Sequence, residues 1–288
     1  MKAVIFGAGG QVGRALARAA PEGVELVPLA RADCDVRSPR QVELALAAAA
    51  PGIVFNAAAY TNVDRAESEP DDAAALNALA PGIIAEAARR NGARTVHIST
   101  DYVFDGEASR PYRPDDPTNP LNVYGATKLA GEAAVHEADP SAVTVRTSWV
   151  YSSSGTNFVT NMLALMRERE RLEVVADQVG VPTSSRLLAA ALWHLARSSE
   201  SGLFHYCDSG STSRHGLAVS IQEQARSLGL LDRAIPIEPL RTEQTNSAAR
   251  RPLYSVMDAG DCWRVLGARP PEWPDNLRRA LEEIRDHG

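Results

Sequence analysis

Tyr124 and Lys128 stand four residues apart in the run Tyr124-Gly125-Ala126-Thr127-Lys128. On a helix, residues at that spacing leave the same face one above the other and enter one cleft. A phenol is a poor proton donor near neutrality because its unperturbed pKa is about 10. A nearby ammonium favours the phenolate and brings that value towards working pH. The pair then suits delivery of a proton to an oxygen that gains negative charge, as in reduction of a carbonyl. A hydroxyl across the cleft would hold that carbonyl, and Ser99-Thr100 offers two at the end of an apolar run. By chemistry alone either serves. Tyr and Lys at this spacing also occur on solvated helices, so the reading depends on what surrounds them.

The N-terminus supplies the first support. Lys2 to Phe6 reads as a short buried strand, followed by Gly7-Ala8-Gly9-Gly10-Gln11-Val12-Gly13 and a helix-like segment to Ala20. A strand, a glycine-rich turn and a helix open a dinucleotide-binding βαβ unit. Its glycines let the backbone approach a pyrophosphate at outward-pointing helix N–H groups. Gly7, Gly10 and Gly13 follow the Gly-x-x-Gly-x-x-Gly spacing of short-chain dehydrogenase/reductases, with Gln11 and Val12 between them and Gly9 as an extra.

These residues need a scaffold, and the first half of the chain alternates strand and helix signals. Strands are expected at 24–29, 52–58, 95–99 and 143–147, with helices at 39–50, 71–91 and 122–138. Such alternation predicts an α/β fold, a doubly wound, Rossmann-like parallel sheet wrapped by helices on both faces. Ligands there lie at the carboxyl ends of strands. The division expected is a dinucleotide-binding domain over 1–150, with later segments returning to it, and a smaller carboxy-terminal substrate lobe over 151–288.

The strand tails carry the specificity. After the second strand, Ala30 stands where many relatives place an acid for the adenosine ribose, and Arg31 suits a 2′-phosphate. The preferred cofactor is therefore NADPH, with NADH left open. Asp35-Val36 resembles the pair that touches adenine in this superfamily. Ala57, Ala58 and Ala59 are small enough for the third strand's end to lie against a cofactor. Asn77 in the long helix is a weaker candidate, for a proton path towards Lys128.

Composition sets outer bounds. The chain has 288 residues, a formal charge of −6 and no basic tract, which argues against nucleic acid as a partner. Cys34, Cys207 and Cys262 are scattered without metal-like spacing and fit reduced thiols. No apolar run approaches the roughly 18 residues of a membrane span, and the first strand lacks the form of a signal peptide. A soluble cytoplasmic protein without metal or membrane contact is expected.

Longer motifs then become specific. Asn56-Ala-Ala-Ala-Tyr-Thr-Asn-Val-Asp64-Arg-Ala-Glu67, Ser99-Thr-Asp-Tyr-Val-Phe-Asp-Gly106, Arg146-Thr-Ser-Trp149-Val-Tyr151, Asp177-Gln-Val-Gly-Val-Pro-Thr183 and Ala249-Arg-Arg-Pro252 join the glycine turn and the Tyr-Lys pentad. Together they resemble the dTDP-4-dehydrorhamnose reductase family. That resemblance implies reduction of the 4-keto group of a dTDP-4-keto-6-deoxyhexose, with dTDP-4-dehydro-L-rhamnose the leading substrate. It assigns the catalytic roles to Thr100, Tyr124 and Lys128, with Lys128 also on the nicotinamide ribose. Asp101 and Trp149 are placed with Thr100 and Tyr124 at the sugar. Some family members dimerise through Mg²⁺ held by two glutamates; the matching positions here are Ala15 and Arg186, which cannot ligate a hard cation. A monomer or metal-free homodimer is expected.

Departures leave the sugar open. Arg214-His215 stand where relatives have an aromatic pair, and Leu253-Tyr254 precede Ser255 where an x-Asn is usual. A different deoxysugar nucleotide, or a non-catalytic dinucleotide-binding subunit such as the regulatory β-subunit of methionine adenosyltransferase, are the alternatives. A 4,6-dehydratase would have Glu at position 102 in place of Tyr, and an epimerase an acid in place of Ala30. A dinucleotide-sensing transcriptional regulator fits least, because it needs no catalytic triad.

Overall fold

The computed structural model describes residues 1–287. Its first half reads β1 (Lys2–Phe6), α1 (Gln11–Arg18), β2 (Glu25–Leu29), α2 (Pro39–Ala49), β3 (Ile53–Asn56), α3 (Val63–Ser68) and α4 (Pro70–Ala74). A π-turn over Ala75–Leu79 leads into α5 (Ala80–Arg90), β4 (Arg94–Thr100), α6 (Val123–Ala138) and β5 (Val143–Thr147). The second half contains β6 (Val150–Tyr151), α7 (Phe158–Glu168), β7 (Leu172–Val175), β8 (Val179–Gly180), β9 (Thr183–Ser184) and α8 (Ser185–Arg197). It closes with β10 (Gly202–His205), β11 (Thr212–Ser213), α9 (Arg214–Ser227), β12 (Ile237–Leu240), α10 (Gly260–Leu266) and α11 (Trp273–His287).

Six strands form one parallel sheet in the order β10-β5-β4-β3-β1-β2. Successive strand residues point to opposite faces, and the sequence is apolar on both. Ala3, Ile5, Ile53 and Phe55 face α8, where Leu188, Leu192 and Trp193 cover them. Val4, Phe6 and Val54 face the other layer and meet Leu46 of α2 and Ile84 of α5. The direction of winding reverses between β1 and β3, so a crevice opens beyond their carboxyl ends. β10 returns to the sheet edge beside β5, bringing α8 with it.

A second core gathers α7, α9, α11 and the β7–β12 pair around Leu163, Met166, Leu217, Ile221, Leu277 and Leu281. Three elements depart from expectation by more than a single residue at an end. The third strand stops at Asn56, because the Asn56 carboxamide oxygen accepts from Ala58 N–H and turns the chain out of the sheet. The first helix ends at Arg18 rather than Ala20. The helix expected over 71–91 is broken into α4, the π-turn and α5.

Candidate active site

Each glycine of the first turn answers a different steric demand. Gly7 has φ of 79°, and a Cβ there would sit 2.5 Å from Ala58 N. A Cβ on Gly13 would sit 2.3 Å from the Gly7 carbonyl oxygen, so helix and turn pack only without it. Gly10 is the N-cap of α1 and brings no side chain to satisfy the helix's first N–H groups. Those donors and the positive end of the helix are left for an anion. Gln11 and Val12 stand in the first turn of α1, and their side chains are engaged elsewhere. Gln11 Nε2 donates to the Val150 carbonyl at 2.8 Å, and Val12 packs against the core under the sheet. Helical geometry turns both outward from the cleft, leaving them only backbone N–H groups to offer.

That cleft encloses about 780 Å³ between Gly7, Gly9 and Gly10, the Ala30–Arg31 turn, Val36 and Ala57 to Ala59. Three arginines stand at it. Arg37 is committed to Asp35 and Asp72, and Arg65 to Glu69. Arg31 has no carboxylate partner among the described residues and lies on the turn whose Ala30 N–H is held by Asp33 at 2.8 Å. Hydrogen bonds from Arg37 lower Asp35 to about 2, so it is ionised at any working pH. Uncapped N–H donors, a wall of alanines and an uncommitted guanidinium fit an adenine dinucleotide carrying a 2′-phosphate.

β4 and α6 position the remaining chemistry. Asn122 caps α6 by accepting from Gly125 N–H at 2.8 Å, which fixes where the helix starts and hence where Tyr124 points. A Cβ at Gly125 would meet the Tyr102 carbonyl oxygen at 2.1 Å, so the helix can press against the end of β4 only with glycine there. Strand alternation decides between the two hydroxyls. Ser99 faces α6 and donates to Glu132, whereas Thr100 lies beside the Tyr124 phenol. Thr100 Oγ1 donates to Asp101 Oδ1 at 3.1 Å and accepts from Tyr102 N–H at 3.2 Å.

Lys128 is 2 % exposed, and its ammonium donates to the Ile98 carbonyl at 2.6 Å, with His97 Nε2 at 3.5 Å. The expected lowering of Tyr124 by Lys128 is absent. Burial pushes the phenol well above its ordinary value, the Thr100 hydroxyl pulls it down by less, and Asp101 and Tyr102 add to the rise. The spacing brings Lys128 under the same helix face, but its ammonium is bonded to the Ile98 carbonyl of β4 rather than to the phenol. Burial lowers Lys128 itself to about 8, against an opposing pull from Glu132.

Asn77 is more than a surface residue. The π-turn widens the helix by one residue and buries Asn77 completely, a distortion often found at functional sites. Its side chain accepts from Tyr60 N–H at 2.8 Å, donates to the Tyr60 carbonyl at 3.0 Å and donates to Thr127 Oγ1 at 3.2 Å. It therefore ties the tail of β3 to the catalytic helix and makes no direct contact with Lys128.

Trp149, Arg214 and Ser255 come from the second half of the chain. Trp149 has φ of 44°, a left-handed conformation held by packing, because its indole lies where a Cβ on Gly180 would be, 2.6 Å away. The Arg214 guanidinium stacks over that indole at 3.6 Å and is hydrogen-bonded to Tyr102. Asp101 is buried, which raises it to about 6 against opposing pulls from Ser255 and Thr100, and its Oδ2 has no hydrogen-bond partner. The segment carrying Ser255 is pinned by Arg251 to Asp64 at 2.7 Å and by Asn122 Nδ2 donating to the Arg250 carbonyl at 2.7 Å. The motifs Asp64, Asn122 and Ala249 to Pro252, remote in sequence, thus close one wall.

Sequence reasoning missed His97, which is fully buried between Asn56 Nδ2 at 3.1 Å and Lys128. It also missed the buried ion pair of Glu132 with Arg146, bidentate at 2.7 and 2.9 Å. The available signal for both was position. Lys128 and Glu132 are one helical turn apart, and His97 and Ser99 share one face of β4.

Residues 1–286 match the family model described as RmlD substrate binding domain. A dTDP-4-dehydrorhamnose reductase of Burkholderia thailandensis is 42% identical over 284 residues, covering 95% of each chain. A Streptomyces antibioticus protein named "Probable dTDP-4,6-dihydroxy-2-methyloxan-3-one 4-ketoreductase" is 41% identical, covering 99% of this chain and 96% of its own. The crystal structure of a Bacillus anthracis dTDP-4-dehydrorhamnose reductase in complex with NADP superposes with a TM-score of 0.93 at 36% identity, covering 98% of this chain and 99% of that one. With the family model matched from end to end and relatives this close over almost their full length, the chain belongs to the dTDP-4-dehydrorhamnose reductase family.

Proposed function

We infer that the protein is an NADPH-dependent ketoreductase that converts dTDP-4-dehydro-L-rhamnose to dTDP-L-rhamnose. The observation that carries this reading is the Tyr124 phenol beside the Thr100 hydroxyl at the carboxyl end of β4, next to the crevice between β1 and β3. Gly7 to Gly13, Arg31, Asp35, Val36 and Ala57 to Ala59 hold the dinucleotide, which when bound supplies the hydride for C4 of the sugar. The raised Tyr124 pKa keeps the phenol protonated at neutral pH, so a proton is available for the oxygen at C4. Thr100 orients that oxygen and stabilises its growing charge. Lys128, buried as a cation beneath the same helix face, binds the nicotinamide ribose and makes the phenol a better donor once its charge is drawn to the site. Trp149 packs on the sugar and Asp101 accepts a hydrogen bond from it through the unpartnered Oδ2.

Residues 1–150 with α8 and β10 serve the dinucleotide, and the rest of 151–288 serves mainly the sugar nucleotide. The buried free thiols of Cys34, Cys207 and Cys262 fit a reducing compartment, so the cytoplasm is the proposed location. A second reading, a 4-ketoreductase for a different deoxysugar, is favoured by Arg214. Its guanidinium occupies one face of the Trp149 indole, leaving a sugar the other, and brings hydrogen-bond donors that an aromatic side chain at that position would lack.

The test is Tyr124→Phe, which keeps the ring and removes the proton. Turnover falls by about 10²–10⁴-fold while NADPH binding, read by cofactor fluorescence, is unchanged. Near-normal turnover would remove Tyr124 from the mechanism.

A further inference from the structure

A second cleft, of about 690 Å³, lies between the outer face of α1, the N-terminus of α8 and the last turns of α11. Four arginines line it from three separate elements: Arg14 and Arg18 from α1, Arg186 from α8 and Arg279 from α11. The chain carries a net charge of −6, and twelve of its other arginines have carboxylate partners within 4.0 Å. Among the described residues none of these four has such a partner, although Glu283 also lines the cleft. Like charges brought to one concavity from three elements repel, and an anion bound between them would relieve that repulsion.

The floor adds donors. Ser184, the N-cap of α8, makes no side-chain capping bond, and Ser152, Ser184 and Ser185 present hydroxyls to the same space. Asp208 behind that helix end accepts from Ser184 N–H at 3.1 Å and Asn276 Nδ2 at 2.9 Å; it lies near enough to feel the Arg186 charge, but burial raises it to about 7 and it forms no ion pair with the arginines at the mouth. Guanidinium groups present paired N–H donors that match phosphate oxygens. Small walls at Ala15, Ala19 and Ala280 leave the volume open, and 690 Å³ accommodates more than one phosphate group.

We propose that this cleft is a binding site, separate from the dinucleotide crevice, for a polyanion carrying two or more linked phosphates. Arg18, Arg186 and Arg279 form the charge clamp. Arg14 donates to the Gly9 carbonyl and so joins the clamp to the glycine turn.

Calorimetric titration of inorganic triphosphate into the full-length protein, with NADPH saturating the other cleft, tests this. One equivalent binds, and binding weakens as salt rises. Arg186→Gln with Arg279→Gln, both at exposed positions, weakens it at least about tenfold, in line with loss of charge-assisted hydrogen bonds. The same pair leaves the NADPH dissociation constant and the melting temperature unchanged, and Arg31→Ala leaves triphosphate binding unchanged. ATP, which bears the same phosphate tail, separates the sources: tighter binding than triphosphate assigns the cleft to a nucleotide, equal binding to a free inorganic anion. No heat with either probe, or equal affinity in the double variant, overturns the site.

Discussion

Tyr124, Thr100 and Lys128 are the proposed catalytic residues, and burial sets the protonation of the phenol and the ammonium differently. Tyr124 is the protonated partner at neutral pH, because burial outweighs the pull of Thr100. Of these three residues, Lys128 is the one that titrates near the working range. Its value is lowered by burial to about 8, so the ammonium is present below that pH and lost above it. We expect kcat/KM to fall as pH rises through about 8, and a pH–rate profile of the free enzyme checks it. A flat profile from pH 7 to 9.5 would be inconsistent with an essential Lys128 cation. Stability runs the opposite way: the unfolded chain binds the proton more tightly, so burying this charge costs stability below about 8 and the cost fades as pH rises towards the ordinary lysine range. The sequence placed Tyr124 and Lys128 on one helix face, since spacing alone specifies that. It did not reveal the Ile98 carbonyl beneath Lys128, because i,i+4 spacing says nothing about which strand atom lies under the helix.

At the scale of elements, the glycine turn, the short alanine-rich tail of β3 and the capped start of α6 were legible, each having a local steric or capping cause. The π-turn was not. Asn77 sits in an ordinary helical composition, and only its bonds to Tyr60 and Thr127 draw it inward. The same holds for the Glu132–Arg146 pair, 9 % and 4 % exposed, which locks α6 to β5. Glu132→Ala leaves Arg146 buried and unpaired, and should destabilise the fold by roughly 3–5 kcal/mol. Urea denaturation measures it; a loss under about 1 kcal/mol, the range of an exposed pair, would mean that the pair is solvated. The turn after β2 carries a separate expectation. One charge-assisted hydrogen bond contributes on the order of 1.5–3 kcal/mol, and the exposed setting of Arg31 favours the lower end. Arg31→Ala should therefore narrow the NADPH-over-NADH ratio of kcat/KM by about tenfold. An unchanged ratio would take the 2′-phosphate away from this turn.

Taken as a whole molecule, the chain places a dinucleotide crevice at the reversal of its sheet and closes the sugar side with segments from three distant regions. The winding of the sheet followed from the alternation of elements, since strands apolar on both faces require helices on both. Closure by Arg251 onto Asp64 did not, because a long-range ion pair has no local pattern. Ala15 and Arg186 line the arginine cleft and offer a divalent cation no ligand, so light scattering should give the same mass with and without chelator. A mass that halves on chelation would refute the metal-free assembly. No helix among the described residues is long and apolar enough to cross a membrane. The most direct measurement is NADPH oxidation on addition of dTDP-4-dehydro-L-rhamnose, beside a small panel of epimeric dTDP-4-keto sugars, with product C4 stereochemistry read by NMR. The expected result is one NADPH consumed per dTDP-L-rhamnose formed. Folded protein that binds NADPH yet oxidises it with none of these ketones would contradict the reductase reading.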